Sequence, residues 1–234
     1  MATRLSYGSH ANTAMSVYVA GSDVYVAGFG TEITNYNSNY AARIWKNGVG
    51  TTISTSTIEA VAYSVFVVGT DVYVAGYETF GTYANERRAR IWKNGVATPL
   101  TNGEVGFSVY VSGSDVYVAG GKVWKNGIVT NLTNGSSFAN SIFVSGSDVY
   151  VAGSEAVNFQ PTVVKVWKNG VATALTNGTN AAIANSVFVS GTDVYAAGYE
   201  QIGQYKVAKM WKNGVATVLS NGSADANALS IFVK

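Results

Sequence analysis

Four glutamates fall at related places in this chain, three of them close behind an aromatic ring: Phe29 with Glu32, Tyr77 with Glu78, Tyr199 with Glu200, and a bare Ser154-Glu155. A ring face beside a hydrogen-bond acceptor is chemistry that suits a sugar. Amides at Asn140 and Asn185, with Asn12, Asn180, Asn227 and the carboxylate of Asp225, add groups that donate to or accept from hydroxyls, although asparagine is equally at home forming turns. Two carboxyl groups about 5 to 9.5 Å apart would allow glycoside hydrolysis, and a pair such as Glu78 and Glu200 is the obvious candidate. Near-uniform repeats argue against one asymmetric catalytic centre, so these residues read as a non-catalytic ligand surface.

Other chemistries are restricted by composition. The chain has no Cys and one histidine, His10, so it has no thiolate nucleophile and nearly no means of building a His zinc site or a Ser-His-Asp triad. No cofactor and no metal are expected. The net charge is +2, from 15 Lys plus Arg against 13 Asp plus Glu, and 47% of the residues are apolar, which is one domain's worth of core rather than a disordered tail. No apolar run approaches the roughly 18 to 20 residues of a membrane span. The start, Met1-Ala2-Thr3-Arg4-Leu5-Ser6, does not read as a signal peptide. Abundant Gly, Asn, Ser and Thr without Cys are compatible with bacterial export, to an extracellular or cell-surface location.

The elements that must position these residues come from an internal repeat. Asp-Val-Tyr occurs at Asp23, Asp71, Asp115, Asp148 and Asp193, and Trp-Lys-Asn-Gly begins at Trp45, Trp92, Trp124, Trp167 and Trp211. Each motif reads as a strand, bounded by Gly, Asn, Asp or Ser. The order is a (Ser-Val-Tyr-Val), b (Asp-Val-Tyr-Val-Ala), c (Arg-Ile-Trp-Lys) and d (Ala-Thr-x-Leu). A tight Gly-Ser-Asp or Gly-Thr-Asp turn joins a to b, and Asn-Gly, the strongest short hairpin signal, joins c to d. Strands a and b are apolar at nearly every position, so both faces of each sheet should be covered. Four antiparallel strands, recurring about every 44 residues, predict a five-bladed β-propeller over 1–234, with blades near 16–53, 64–100, 108–132, 141–175 and 186–219.

On these motifs the chain resembles bacterial β-propeller repeat proteins, and its five short blades are similar in architecture to tachylectin-type lectins. Tachylectins also end on an extra inner strand, much as this chain ends on Ser230-Ile231-Phe232-Val233. Their sequence motifs are not found here, so the resemblance transfers no binding residue. Comparison with five-bladed glycosidases, which gather acids on inner blade ends, finds no carboxylate on strand a. Copies of d and a exceed those of b and c by one, so segments 1–15 and 220–234 compete for one seat in ring closure. A monomeric ring is expected, with a strand-exchanged homo-oligomer as the alternative.

Antiparallel order places the b–c and d–a connections on one rim. The b–c connections hold 14, 13, 1, 11 and 10 residues in blades one to five, the variation expected of loops that carry function or are free to drift. The candidate ligand residues, Phe29, Glu32, Tyr77, Glu78, Glu155, Tyr199, Glu200, Asn140 and Asn185, all lie on this rim. The Trp residues are expected to pack between blades. Each repeat Asp should cap its own turn and pair with the Lys ending strand c, Asp23 with Lys46 and so on. Ten of the fifteen basic residues flank a repeat Trp, a distributed framework charge unlike a nucleic-acid footprint. The resulting expectation is a lectin-like module whose partner is a glycan, or alternatively a structural or protein-interaction repeat scaffold, including an engineered array or one excised from a longer one, that binds a protein surface or nothing specific and has no specific small ligand.

Overall fold

A computed structural model describes residues 11–34, 37–55, 58–80, 86–130, 136–156 and 162–234. These residues are all-β, with no helix among them. Sheet 1 contains β1 (Asn12–Ala20), β2 (Asp23–Thr34), β3 (Asn37–Lys46) and β4 (Val49–Thr52); sheet 2 contains β5 (Ala60–Val68), β6 (Asp71–Phe80), β7 (Glu86–Lys93) and β8 (Val96–Pro99). Sheet 3 is β9 (Gly106–Ser112), β10 (Asp115–Gly120), β11 (Val123–Lys125) and β12 (Ile128–Thr130). Sheet 4 is β13 (Ser136–Ser145), β14 (Asp148–Ala156), β15 (Val163–Lys168) and β16 (Val171–Ala174), and sheet 5 is β17 (Ala182–Ser190), β18 (Asp193–Ile202), β19 (Tyr205–Lys212) and β20 (Val215–Val218). Five sheets with strands in the order a-b-c-d are consistent with a five-bladed β-propeller. Two compact units divide the chain, Met1–Val118 with Trp124–Val129, and Ala119–Val123 with Thr130–Lys234.

Turn chemistry sets the register. In Asn47-Gly48 both φ angles are positive (51° and 86°), a type I′ turn that closes the Lys46–Val49 pair and recurs in all five sheets. The asparagine also fastens strand b, because its Oδ1 accepts from Val24 N–H at 2.9 Å while its own N–H donates to Val24 O. Between a and b, Gly21 alone takes positive φ in its two-residue turn.

Each inner strand of sheets 1, 2, 4 and 5 carries a bulge, between Ala14 and Ser16, Ala62 and Ser64, Ala139 and Ser141, and Ala184 and Ser186. The serine after the bulge joins neighbouring sheets. In the first unit Ser16 Oγ accepts from Val65 N–H and Ser64 Oγ from Val109 N–H; in the second, Ser141 Oγ accepts from Val187 N–H. Three of the tryptophans pack between sheets as expected: Trp92 clusters with Tyr25 and Ala27 of sheet 1 and with Ile53 just after it, Trp124 with Ala75 of sheet 2 and Leu100 just after it, and Trp211 with Val164 and Val166 of sheet 4. In the second unit the terminal copy of a lies beside β17, with Ile231 N–H donating to Ser186 Oγ and the Phe232 ring 5.1 Å from Phe188. The amino-terminal copy of d and His10 lie outside the described residues.

The long b–c connections differ from the expected loops. Strands b and c continue past the compact part of the sheet as a paired ribbon, reaching Thr34↔Asn37 in sheet 1, Phe80↔Glu86 in sheet 2 and Ile202↔Tyr205 in sheet 5. Residues rich in Thr, Tyr and Ile favour that extension over an irregular loop.

Candidate functional site

The nine candidate residues therefore sit on strands, where side chains alternate between the two faces. Tyr77 and Glu78 are consecutive on β6, and Tyr199 and Glu200 are consecutive on β18, so ring and carboxylate of each pair point to opposite faces. Phe29 and Glu32, an odd number of residues apart on β2, are separated in the same way. The structure does not bring a ring and its following carboxylate into one pocket.

Each carboxylate instead meets a base from strand c. Glu78 is fully buried; it accepts from Arg90 Nε at 2.8 Å and from Thr55 N–H at 2.7 Å. Glu155 pairs with Lys165, and Glu200 accepts from Lys209 Nζ at 2.5 Å and Asn180 Nδ2 at 3.2 Å. Glu32 is more open, held by Arg43 Nη2 at 3.2 Å and Thr52 Oγ1 at 3.0 Å. The register accounts for the recurrence. Gly76 faces Arg90, Gly153 faces Lys165 and Gly198 faces Lys209, while the glutamate lies two residues further along on the same face, in diagonal contact with the base.

The rings are also engaged. Tyr77 is buried beneath the Arg87 guanidinium, 4.7 Å away, and burial, then a hydrogen bond to Glu59, raises its pKa well above the usual tyrosine range. Tyr199 is half-buried with Lys206 Nζ 4.9 Å from its ring centroid, and Phe29 meets Tyr40 edge-on at 5.0 Å. Asn140 Nδ2 donates to Ala184 O, and Asn185 Nδ2 donates to Ala228 O and Asn227 Oδ1, so both amides tie an inner strand to the one that follows. Two rings not singled out by the sequence motifs are open among the described residues at this end of their sheets, Tyr40 at 45% and Phe138 at 52% exposure. Their signal was present only as an outward position in a strand not yet recognised as extended.

At the opposite end of each sheet an Asp–Lys pair forms, at 2.7 to 2.8 Å in all five. The other carboxylate oxygen accepts from Asn Nδ2 of the facing Asn-Gly turn, so the aspartate is fixed to the neighbouring turn where a cap of its own turn was expected. The Lys hydrogen bond, then the Asn, lowers each Asp below 3.8, and the same contact raises each Lys above 10.5. Stabilisation from a depressed Asp is present above its unfolded value and is lost as pH falls through the folded one. That from a raised Lys is present below 10.5 and is lost as pH rises through the folded value. Urea midpoints should therefore be flat between about pH 5 and 9.5, fall on both sides, and fall less steeply in about 1 M salt, where these exposed pairs are screened. A midpoint unchanged down to about pH 2 would remove the pairs from the stability balance.

Among the described residues no group of three or more His, Asp or Glu is placed to hold a metal ion. No protein-family model matches the sequence, and no curated protein sequence matches it.

Proposed function

We propose that the chain is a non-catalytic, lectin-like module that binds glycans through the rim carrying the b–c and d–a connections. One observation carries the reading: among the described residues, Tyr40 in the first unit and Phe138 in the second stand open at this end of their sheets, where the neighbouring rings Tyr77 and Tyr199 are each covered by a cation. An open ring face stacks on the apolar face of a sugar, and nearby amides and hydroxyls accept or donate to its rim of hydroxyls. Repetition around the blades would give avidity from shallow sites. Glu32, Glu78, Glu155 and Glu200 are each paired with a base, which supports a binding rather than an acid–base role for them. The saturation of those carboxylates favours the second reading, a structural or protein-interaction scaffold without a small ligand.

Labelled protein on a broad glycan array separates the two. The expected result is a reproducible hit, competed by the free sugar and lost in Tyr40→Ala/Phe138→Ala. A blank array from folded protein overturns the glycan reading in favour of the scaffold. The pair Tyr77→Ala/Tyr199→Ala is a less clean probe, since emptying the buried Tyr77 site costs about 3 to 5 kcal/mol of fold stability in its own right.

A further inference from the structure

Among the described residues strand d is outermost in every sheet, with no strand beside one of its edges. Antiparallel pairing alternates hydrogen-bonded and open pairs. The turn-closing pair Lys46↔Val49 is bonded, as are Ile44↔Thr51 and then Ile53 N–H to Ala42 O. The N–H and C=O of Gly50 and Thr52 consequently point away from the sheet, as do those of Ala172 and Ala174 in β16 by the same register. All four residues of β4 and of β16 are exposed.

Beside each of these edges lies a groove. In the first unit it is lined by Tyr25, Ile44, Thr51 and Ile53, closed by Val72 and Val74 of sheet 2, and encloses 610 Å³ with its mouth. In the second, Tyr150, Val166, Thr173 and Leu175 face Val194 and Ala196 across 620 Å³. The first residue of d, two before the threonine that lines each groove and so on the same face of the strand, is widely exposed, Val49 at 73% and Val171 at 72%. The lysines at the two grooves are neutralised, Lys46 by Asp23 and Lys168 by Asp148.

We propose that the outer edges of β4 and β16 are docking sites for an extended, uncharged polypeptide segment of a partner protein, which adds as a fifth strand and lays alternate aliphatic side chains along the neighbouring groove. Only a second extended backbone supplies donors and acceptors at the spacing of an unpaired edge, while every other side chain falls on the groove side. A neutral, aliphatic groove selects against a charged segment. β8 is the natural exception. Pro99 pairs with Arg90 in the register that pairs Thr52 with Arg43, so an outward N–H is missing there, a common means of blocking an edge.

The probe is the peptide acetyl-Ser-Thr-Val-Thr-Val-Ser-amide, titrated into the full chain with backbone amides read by NMR. Saturable shifts are expected at Gly50, Thr52, Ala172 and Ala174, absent with acetyl-Ser-Pro-Val-Pro-Val-Ser-amide. In Thr52→Pro/Ala174→Pro the affinity should fall at least about tenfold while the thermal midpoint drops by no more than in Thr52→Val, which loses the same exposed Thr52 Oγ1–Glu32 contact, because Pro99 already shows that strand d accepts proline at this register. No saturable shift up to about 1 mM peptide, or binding undiminished in the double variant, would overturn the proposal. So would self-association of the wild type that the two prolines abolish, since the occupant would then be a second copy. The glycan array reports on Tyr40 and Phe138, which share no residue with these edges, so either reading can fail alone.

Discussion

Glu78→Ala is expected to destabilise the protein by about 3 to 5 kcal/mol, the cost of leaving a buried charge without its partner. The glutamate side chain is 1% and the Arg90 side chain 12% exposed, so the stranded guanidinium has almost no route to water. Removal of the carboxylate also leaves Thr55 N–H and Thr55 Oγ1 without the acceptor that holds the connection before sheet 2. The matched comparison is Glu32→Ala. There the ion pair is 25% and 41% exposed, and solvent screening should limit the loss to about 1 kcal/mol or less. Urea midpoints by circular dichroism would rank the two, and equal losses would show that burial does not set the strength of the rim pairs. Glu78→Leu/Arg90→Met should recover most of the loss, since a buried pair replaced by apolar groups of similar volume is close to neutral.

The sequence announces those parts of the fold that depend on local chemistry. Asn-Gly specifies a type I′ turn within two residues, and once that turn closes Lys46 on Val49 the facing of Asp23 and Lys46 follows from register alone. The rim was harder to read because its structure is set by pairing at a distance. A gap of ten to fourteen residues between b and c looks like a loop, and only the continued ladder shows that Tyr77 and Glu78 alternate across a strand. The burial of Glu78 depends on Arg90, twelve residues away on another strand, and on Thr55, from the preceding connection. A clue existed in the base two residues before Trp92, Trp167 and Trp211, read as distributed charge rather than as one half of a buried pair. Asn140 and Asn185 read in the sequence as ligand donors or turn formers; each stands as the extra residue of a bulge, which turns its amide toward a carbonyl of the following segment, a placement set by pairing at a distance.

That bulge also gives the glycine ending Asp-Val-Tyr-Val-Ala-Gly its reason, and Gly76→Ala the second large expected effect. The extra residue in β5 pushes the Val61 carbonyl over strand b, so that a Cβ on Gly76 would stand 2.0 Å from Val61 O and 3.0 Å from the Trp92 ring. A backbone carbonyl in the middle of a paired sheet cannot swing aside as a flexible side chain would, so β5 and β6 must separate or the bulge must be lost. The cost should be about 3 kcal/mol or more, the upper part of the range for forcing a methyl into a packed interior. For a chain of this length that lowers the melting midpoint by about 6 to 12 °C. Gly28, Gly153 and Gly198 meet the same carbonyl at 1.8 to 1.9 Å, so Gly198→Ala should behave alike in the second unit. Gly121 supplies the control: it is exposed, with nothing within 4 Å of its would-be Cβ and no positive φ, so Gly121→Ala should be neutral or stabilise by about 0.4 to 1 kcal/mol. If Gly76→Ala melted with the Gly121→Ala control, the glycine would be a matter of repeat history, and the bulge would be free to relax. A large separation between them would instead make the bulge, with the serine it positions against the next sheet, the fixed point from which the sheets that carry it are built.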